Sequence, residues 1–93
     1  MIYVLVERHI AEGMESTYDL ASRNALESAH RAPGFINGET LTDIQRPNHR
    51  YLLSKWRSAH DWKQWYYSDE RHDAMNQLNP TLADFEKITL LQQ

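Results

Sequence analysis

The sequence contains no cysteine and only three glycines and three prolines among its 93 residues. Lack of cysteine excludes a disulfide framework, a thiolate metal site and a cysteine nucleophile, and leaves the redox compartment unmarked. Gly13, Gly34 and Gly38 are too scattered to form a phosphate-cradling loop, so the sequence signals no nucleotide cofactor. Runs of lysine or arginine are missing as well. With a formal net charge of −3 and a pI near 5.9, the chain is poorly suited to a phosphate backbone, and no nucleic-acid partner is expected. Its five histidines, His9, His30, His49, His60 and His72, occur singly, without an HExxH motif or an i,i+4 pair, so no preformed zinc site is expected. The N-terminal MIYVLV reaches a charge at Glu7, lacks a basic flank and shows no small-residue cleavage pattern. Neither a signal peptide nor a membrane span is expected from it, and a cytoplasmic location is the default expectation.

What is present suits a globular chain: 41% hydrophobic and 25% charged residues, with no low-complexity segment. Ninety-three residues fit one domain spanning 1–93, and a chain this short buries a modest share of its surface, so oligomerisation would help it. The stretch from Ala32 to Ser68 organises the rest. It holds a Pro33-Gly34 turn, an extended run from Phe35 to Asp43, a polar Arg46-Pro47-Asn48 corner, a second extended run from Arg50 to Trp56, and a helix carrying Trp62, Trp65, Tyr66 and Tyr67. Short spacing between the two extended runs predicts an antiparallel hairpin, and Gly38 marks a bulge or a close backbone approach.

Elements on either side complete the pattern. Ile2 to Glu7 is β-branched and apolar on both faces, which predicts a strand covered by helices on one side and by a partner subunit on the other. Met14, Tyr18, Ala21, Ala25 and Ala29 recur every three or four residues and predict a helix, with Leu20 and Leu26 forming a second apolar edge that the pattern leaves unassigned. Glu12 and Glu15 near its start and His30 and Arg31 near its end match the helix dipole. Ser58 followed by Asp61 resembles a capping box for a helix from about Ala59 to Tyr67, and Ser68 or Asp69 caps a further helix from Glu70 to Leu78. Lys87 to Leu91 is the natural fourth strand. The order strand, helix, strand, strand, helix in two pieces, strand predicts an α+β ferredoxin-like (split βαβ) fold, a four-stranded antiparallel sheet with helices on one face.

Pro33-Gly34-Phe35, a strand ending in Trp56 before Arg57-Ser58, a helix with Trp65, the Ser68-Asp69 step into a histidine-containing helix and the early Gly13 together resemble the antibiotic biosynthesis monooxygenase (ABM) domain family over nearly the whole chain. The resemblance implies a homodimer of ferredoxin-like α+β subunits dimerising through their sheets into a dimeric α+β barrel, with a pocket between helices and sheet in each subunit. It implies a cofactor-independent monooxygenase acting on a small electron-rich aromatic or quinol, needing no cofactor. The alternative is a non-catalytic small-molecule-binding or stress-linked dimer, and haem degradation is a distant third. Trp65 matches the helix tryptophan of the haem-degrading branch, whereas Met75 stands where that branch has its ligating histidine and Val6 or Glu7 where it has an asparagine.

Four candidate site residues follow. Trp65 has two readings, core residue and pocket wall, and the resemblance favours the wall. His72, near the aromatic helix, is either a catalytic proton acceptor for a phenol or an ordinary surface histidine. Arg8 at the end of the first strand and Tyr51 on the third are candidate polar contacts to substrate, each depending on which face of the sheet it occupies. Trp56 and Trp62 read as packing or interface residues, and Tyr66 and Tyr67 cannot both face inward.

Overall fold

A computed structural model describes all residues from Met1 to Gln93. Strand β1 (Ile2–His9) leads into helix α1 (Glu15–His30), followed by the hairpin β2 (Phe35–Thr42) and β3 (His49–Trp56), helices α2 (Ala59–Tyr66) and α3 (Asp69–Leu78), a 3₁₀ turn at Asn79–Thr81, and β4 (Lys87–Leu91). The sheet runs β2-β3-β1-β4 with every neighbouring pair antiparallel, which is the expected ferredoxin-like arrangement. No helix is long and apolar enough to cross a membrane.

Alternation along the strands decides what faces the helices. Ile2, Val4 and Val6 are buried beneath them, joined from β3 by Leu52, Ser54 and Trp56 through the pairs Val6↔Leu52, Val4↔Ser54 and Ile2↔Trp56. Tyr3 and Leu5 alternate onto the opposite face, beside Leu53. On α1, the buried residues are Tyr18, Ala21 and Ala29, on the predicted stripe. Its N-terminus has no side-chain cap, and Glu15 lies in the first turn, where exposed backbone N–H groups favour a carboxylate.

The turns behave as the residue types dictate. Gly34 adopts φ +87°, and a Cβ there would lie 2.5 Å from the Asp61 side chain, so the residue is required both by conformation and by packing. Its carbonyl accepts from Arg57 N–H at 2.8 Å, tying the α1–β2 turn to the end of β3. Ser58 caps α2 by accepting from Asp61 N–H at 3.1 Å, and Ser68 caps α3 by accepting from Arg71 N–H at 3.1 Å. Asp61 does not close the box back onto Ser58. Its carboxylate accepts from Arg57 Nε at 2.8 Å. The bulge in β2 falls between Phe35 and Asn37 rather than at Gly38, which instead allows close approach of Leu26 and Phe35.

Two core clusters result. Ile2, Val4, Val6, Ala29 and Trp56 form one beneath the end of α1 and helix α2, with Ala59, Trp62 and Trp65 packed against it. Ile10, Tyr18, Ala21, Met75 and Leu78 form the other, where α1 meets α3.

Candidate functional site

A cavity of about 50 Å³ lies between helices and sheet where the two clusters meet. Its floor is the helix-facing side of the sheet: Val4, Val6 and Arg8 from β1, Leu52, Ser54 and Trp56 from β3, and Ile88 from β4. Helix α1 contributes Ser22, Ala25, Leu26 and Ala29, and the small alanines leave room above the sheet. Leu26 is thereby assigned to the site, whereas Leu20 is exposed. From the aromatic helix come Trp62 and Trp65, three residues apart on one face, and from α3 come Arg71, Ala74 and Met75.

Aromatic rings define the walls. Phe35 meets Trp56 edge-on at 5.2 Å, and Trp56 Nε1 donates to Ser54 Oγ at 3.0 Å, which satisfies the indole in an otherwise apolar floor. Trp62 packs against Tyr66 at 5.0 Å, and Tyr67 turns outward with 80% of its surface exposed.

One end of the cavity is charged. Arg8 Nε donates to Glu86 Oε2 at 2.9 Å, and Arg71 Nη2 donates to the other oxygen, Oε1. Arg8 Nη1 also reaches the Tyr18 hydroxyl at 3.5 Å, and the Arg71 guanidinium lies 4.3 Å over the Tyr66 ring. The side chains of Arg8 and Glu86 are each 9% exposed. Burial works against the charge on Arg8, but Tyr18 and Glu86 outweigh it, so the guanidinium's pKa lies above its ordinary value. Two guanidiniums against one carboxylate leave one positive charge, since no other charged side chain lines the cavity.

The structure therefore brings Trp65 and Arg8 together and separates the other two candidates from them. His72 is exposed and does not line the cavity. The inward stripe of α3 is Arg71, Ala74, Met75 and Leu78, and His72 falls beside it, so its assignment as proton acceptor at this cavity is corrected. Tyr51 pairs with Glu7 and Leu41, one step out of phase with Leu52, which puts it on the outer face of the sheet, and its assignment to this pocket is corrected too. No histidine lines the cavity, and from this part of α3 it is Met75 that does.

Four lining residues carry no site assignment in the sequence. Trp56 and Trp62 read there as packing or interface residues. Arg71 carried a signal, an arginine on the buried stripe four residues before Met75. Glu86 lies two residues before the inward-facing Ile88, so strand alternation points it inward, but only once β4 is paired with β1.

A family model described as antibiotic biosynthesis monooxygenase matches residues 1–77. The chain belongs to that family. No curated protein matches the sequence. Among solved structures, a conserved protein from Methanosarcina mazei Go1 superposes with a TM-score of 0.91 at 15% identity, covering 99% of this chain and 91% of that one. SnoaB, a cofactor-independent oxygenase from Streptomyces nogalater, superposes with a TM-score of 0.87 at 13% identity, covering 99% and 92%. At such identities these likenesses concern the fold, and the ABM fold hosts its site in side chains that must be read from this chain itself.

Proposed function

We propose that this ABM protein is a cofactor-independent monooxygenase acting on a small, electron-rich phenol or quinol bound in the cavity beneath Trp65. The observation that carries the reading is the pairing of an aromatic-walled apolar cavity with one uncompensated, buried positive charge at its end. Once a wall moves to admit it, a flat ring lies against Trp56, Trp62 and Trp65 and is favoured in its ionised form, because an anionic oxygen close to Arg8 and Arg71 gains most in a poorly hydrated surrounding. The phenolic proton leaves to solvent. The anion then passes one electron to O₂, and the radical and superoxide combine to form a C–O bond. When the O–O bond breaks, one oxygen stays on the ring as a carbonyl. The other departs as water with the phenolic hydrogen and the ring hydrogen, so phenol plus O₂ gives quinone plus water. This chain's part is orientation, stabilisation of the anion and exclusion of water. A second copy packed against the outer face of the sheet would complete the dimeric unit.

A non-catalytic binding role is favoured by a different observation. No imidazole lines the cavity, and its one carboxylate, Glu86, has both oxygens engaged by arginines, so no free base faces a ligand. Oxygen uptake with a panel of hydroquinones and polyphenols separates the two. The oxygenase consumes one O₂ per quinone formed, without accumulating peroxide and without response to added flavin, whereas saturable binding with no oxygen uptake establishes the binding role.

A further inference from the structure

At about 50 Å³ the cavity is smaller than the roughly 150 Å³ that encloses a single benzene ring, so a ligand enters only if a wall moves. Just outside lies a surface groove of about 220 Å³, which shares Arg71, Met75, Glu86 and Ile88 with the cavity. The polar bar between the two spaces is the Arg71–Glu86 ion pair. Glu86 is weakly anchored by its own backbone. Ala83 N–H is held by the His9 carbonyl at 2.8 Å and β4 starts at Lys87, but Asp84, Phe85 and Glu86 make no backbone hydrogen bond, and Phe85 is 99% exposed. What holds Glu86 is its carboxylate, with one oxygen on each arginine.

We propose that Glu86 is a displaceable occupant of a two-arginine carboxylate site, and that the ligand is a flat phenolic aromatic bearing its own carboxylate. The incoming carboxylate takes Glu86's place on Arg8 and Arg71, the 84–86 segment swings outward, and cavity and groove join into one pocket. Paired guanidinium forks suit a planar carboxylate. Arg8 Nη2, which has no protein acceptor, supplies a donor that Glu86 does not use. Arg71 remains stacked on Tyr66, so the site keeps its shape when Glu86 leaves. The inference rests on the reading that this cavity takes an aromatic ligand.

The test is calorimetric titration of the full chain with 1-hydroxy-2-naphthoate and with 1-naphthol, which lacks the carboxylate. Wild type binds the naphthoate more tightly. Glu86→Gln strengthens naphthoate binding roughly tenfold, the scale of one competing charge-assisted hydrogen bond removed, and strengthens 1-naphthol, which meets the arginines through its phenolic oxygen alone, by clearly less. An unchanged naphthoate affinity, or an equal gain for both probes, overturns the proposal and makes the triad a structural brace. A crystal structure of wild type with 1-hydroxy-2-naphthoate reads the same question without any variant: Glu86 released from both arginines supports the proposal, and Glu86 still bridging them with naphthoate bound overturns it. Displacement of Glu86 without oxygen uptake on any phenol supports it while refuting the oxygenase. Oxygen uptake on neutral quinols with Glu86→Gln indifferent to the carboxylate does the reverse.

Discussion

Trp65 and His72 lie seven residues apart and have opposite surroundings, which makes them the sharpest pair for testing the site. Trp65 is half-buried and forms a wall of the cavity. Replacing it with phenylalanine keeps an aromatic in place, so Trp65→Phe is expected to fold, to lose about 1–2 kcal/mol in urea denaturation, and to weaken phenol binding beyond what that loss explains. His72 is exposed, and His72→Ala is expected to change stability by less than about 0.5 kcal/mol and to leave any oxygen uptake intact. A large fall in turnover in His72→Ala would restore it as the base. Trp65 stood out through the family resemblance and not through its period, and Arg8 lines the cavity because it continues the alternation of Val4 and Val6, whose covered face the sequence left open. The sequence misplaced His72 because the inward stripe of α3 is set by Met75 and Leu78 packing on α1, a tertiary fact. Tyr51 failed for the related reason that strand alternation gives two faces and not which one the helices cover.

Helix caps and turns were the most legible elements, since Ser58, Ser68 and Gly34 act through neighbours in the chain or through backbone conformation. The β2 bulge was not, because any residue can occupy it and Gly38 drew attention for a different reason, its contact with Leu26. At the start of α2, the hydrogen bond from Arg57 holds the Asp61 carboxyl below its ordinary pKa, outweighing the opposing effect of burial. A carboxylate whose folded pKa is depressed stabilises the fold at pH values above its unfolded pKa, near 3.9, and loses that contribution as pH falls through the lowered folded value. Asp61→Asn is therefore expected to melt below wild type at neutral pH, with the gap closing as pH drops beneath about 4. A melting difference that stays constant across that range would place the role of Asp61 in packing against Gly34 alone.

Across the whole molecule, the order of strands and helices was readable because the β2–β3 hairpin and the helical periods leave few ways to build one sheet. The charged end of the site was not, since Arg8, Arg71 and Glu86 meet only after β4 has crossed to pair with β1 in the register Glu7↔Lys87. The sheet's outer face carries Tyr3, Leu5, Leu53 and Leu91, with Leu41 and Leu91 46% and 44% exposed, an apolar surface suited to a second copy. Light scattering is expected to give a mass near twice 11.0 kDa that persists on dilution to low micromolar, and a monomer there would remove the dimer from the account. The central claim is that the cavity beneath Trp65 receives the aromatic ligand, and NMR titration of the labelled protein with 1-naphthol tests it most directly. Saturable shifts of the Trp56, Trp62 and Trp65 indole N–H signals and of the Val4 and Val6 methyls are the predicted result. Shifts confined to Tyr3, Leu5 and Tyr51 on the outer face, with the three indoles unmoved, would contradict it.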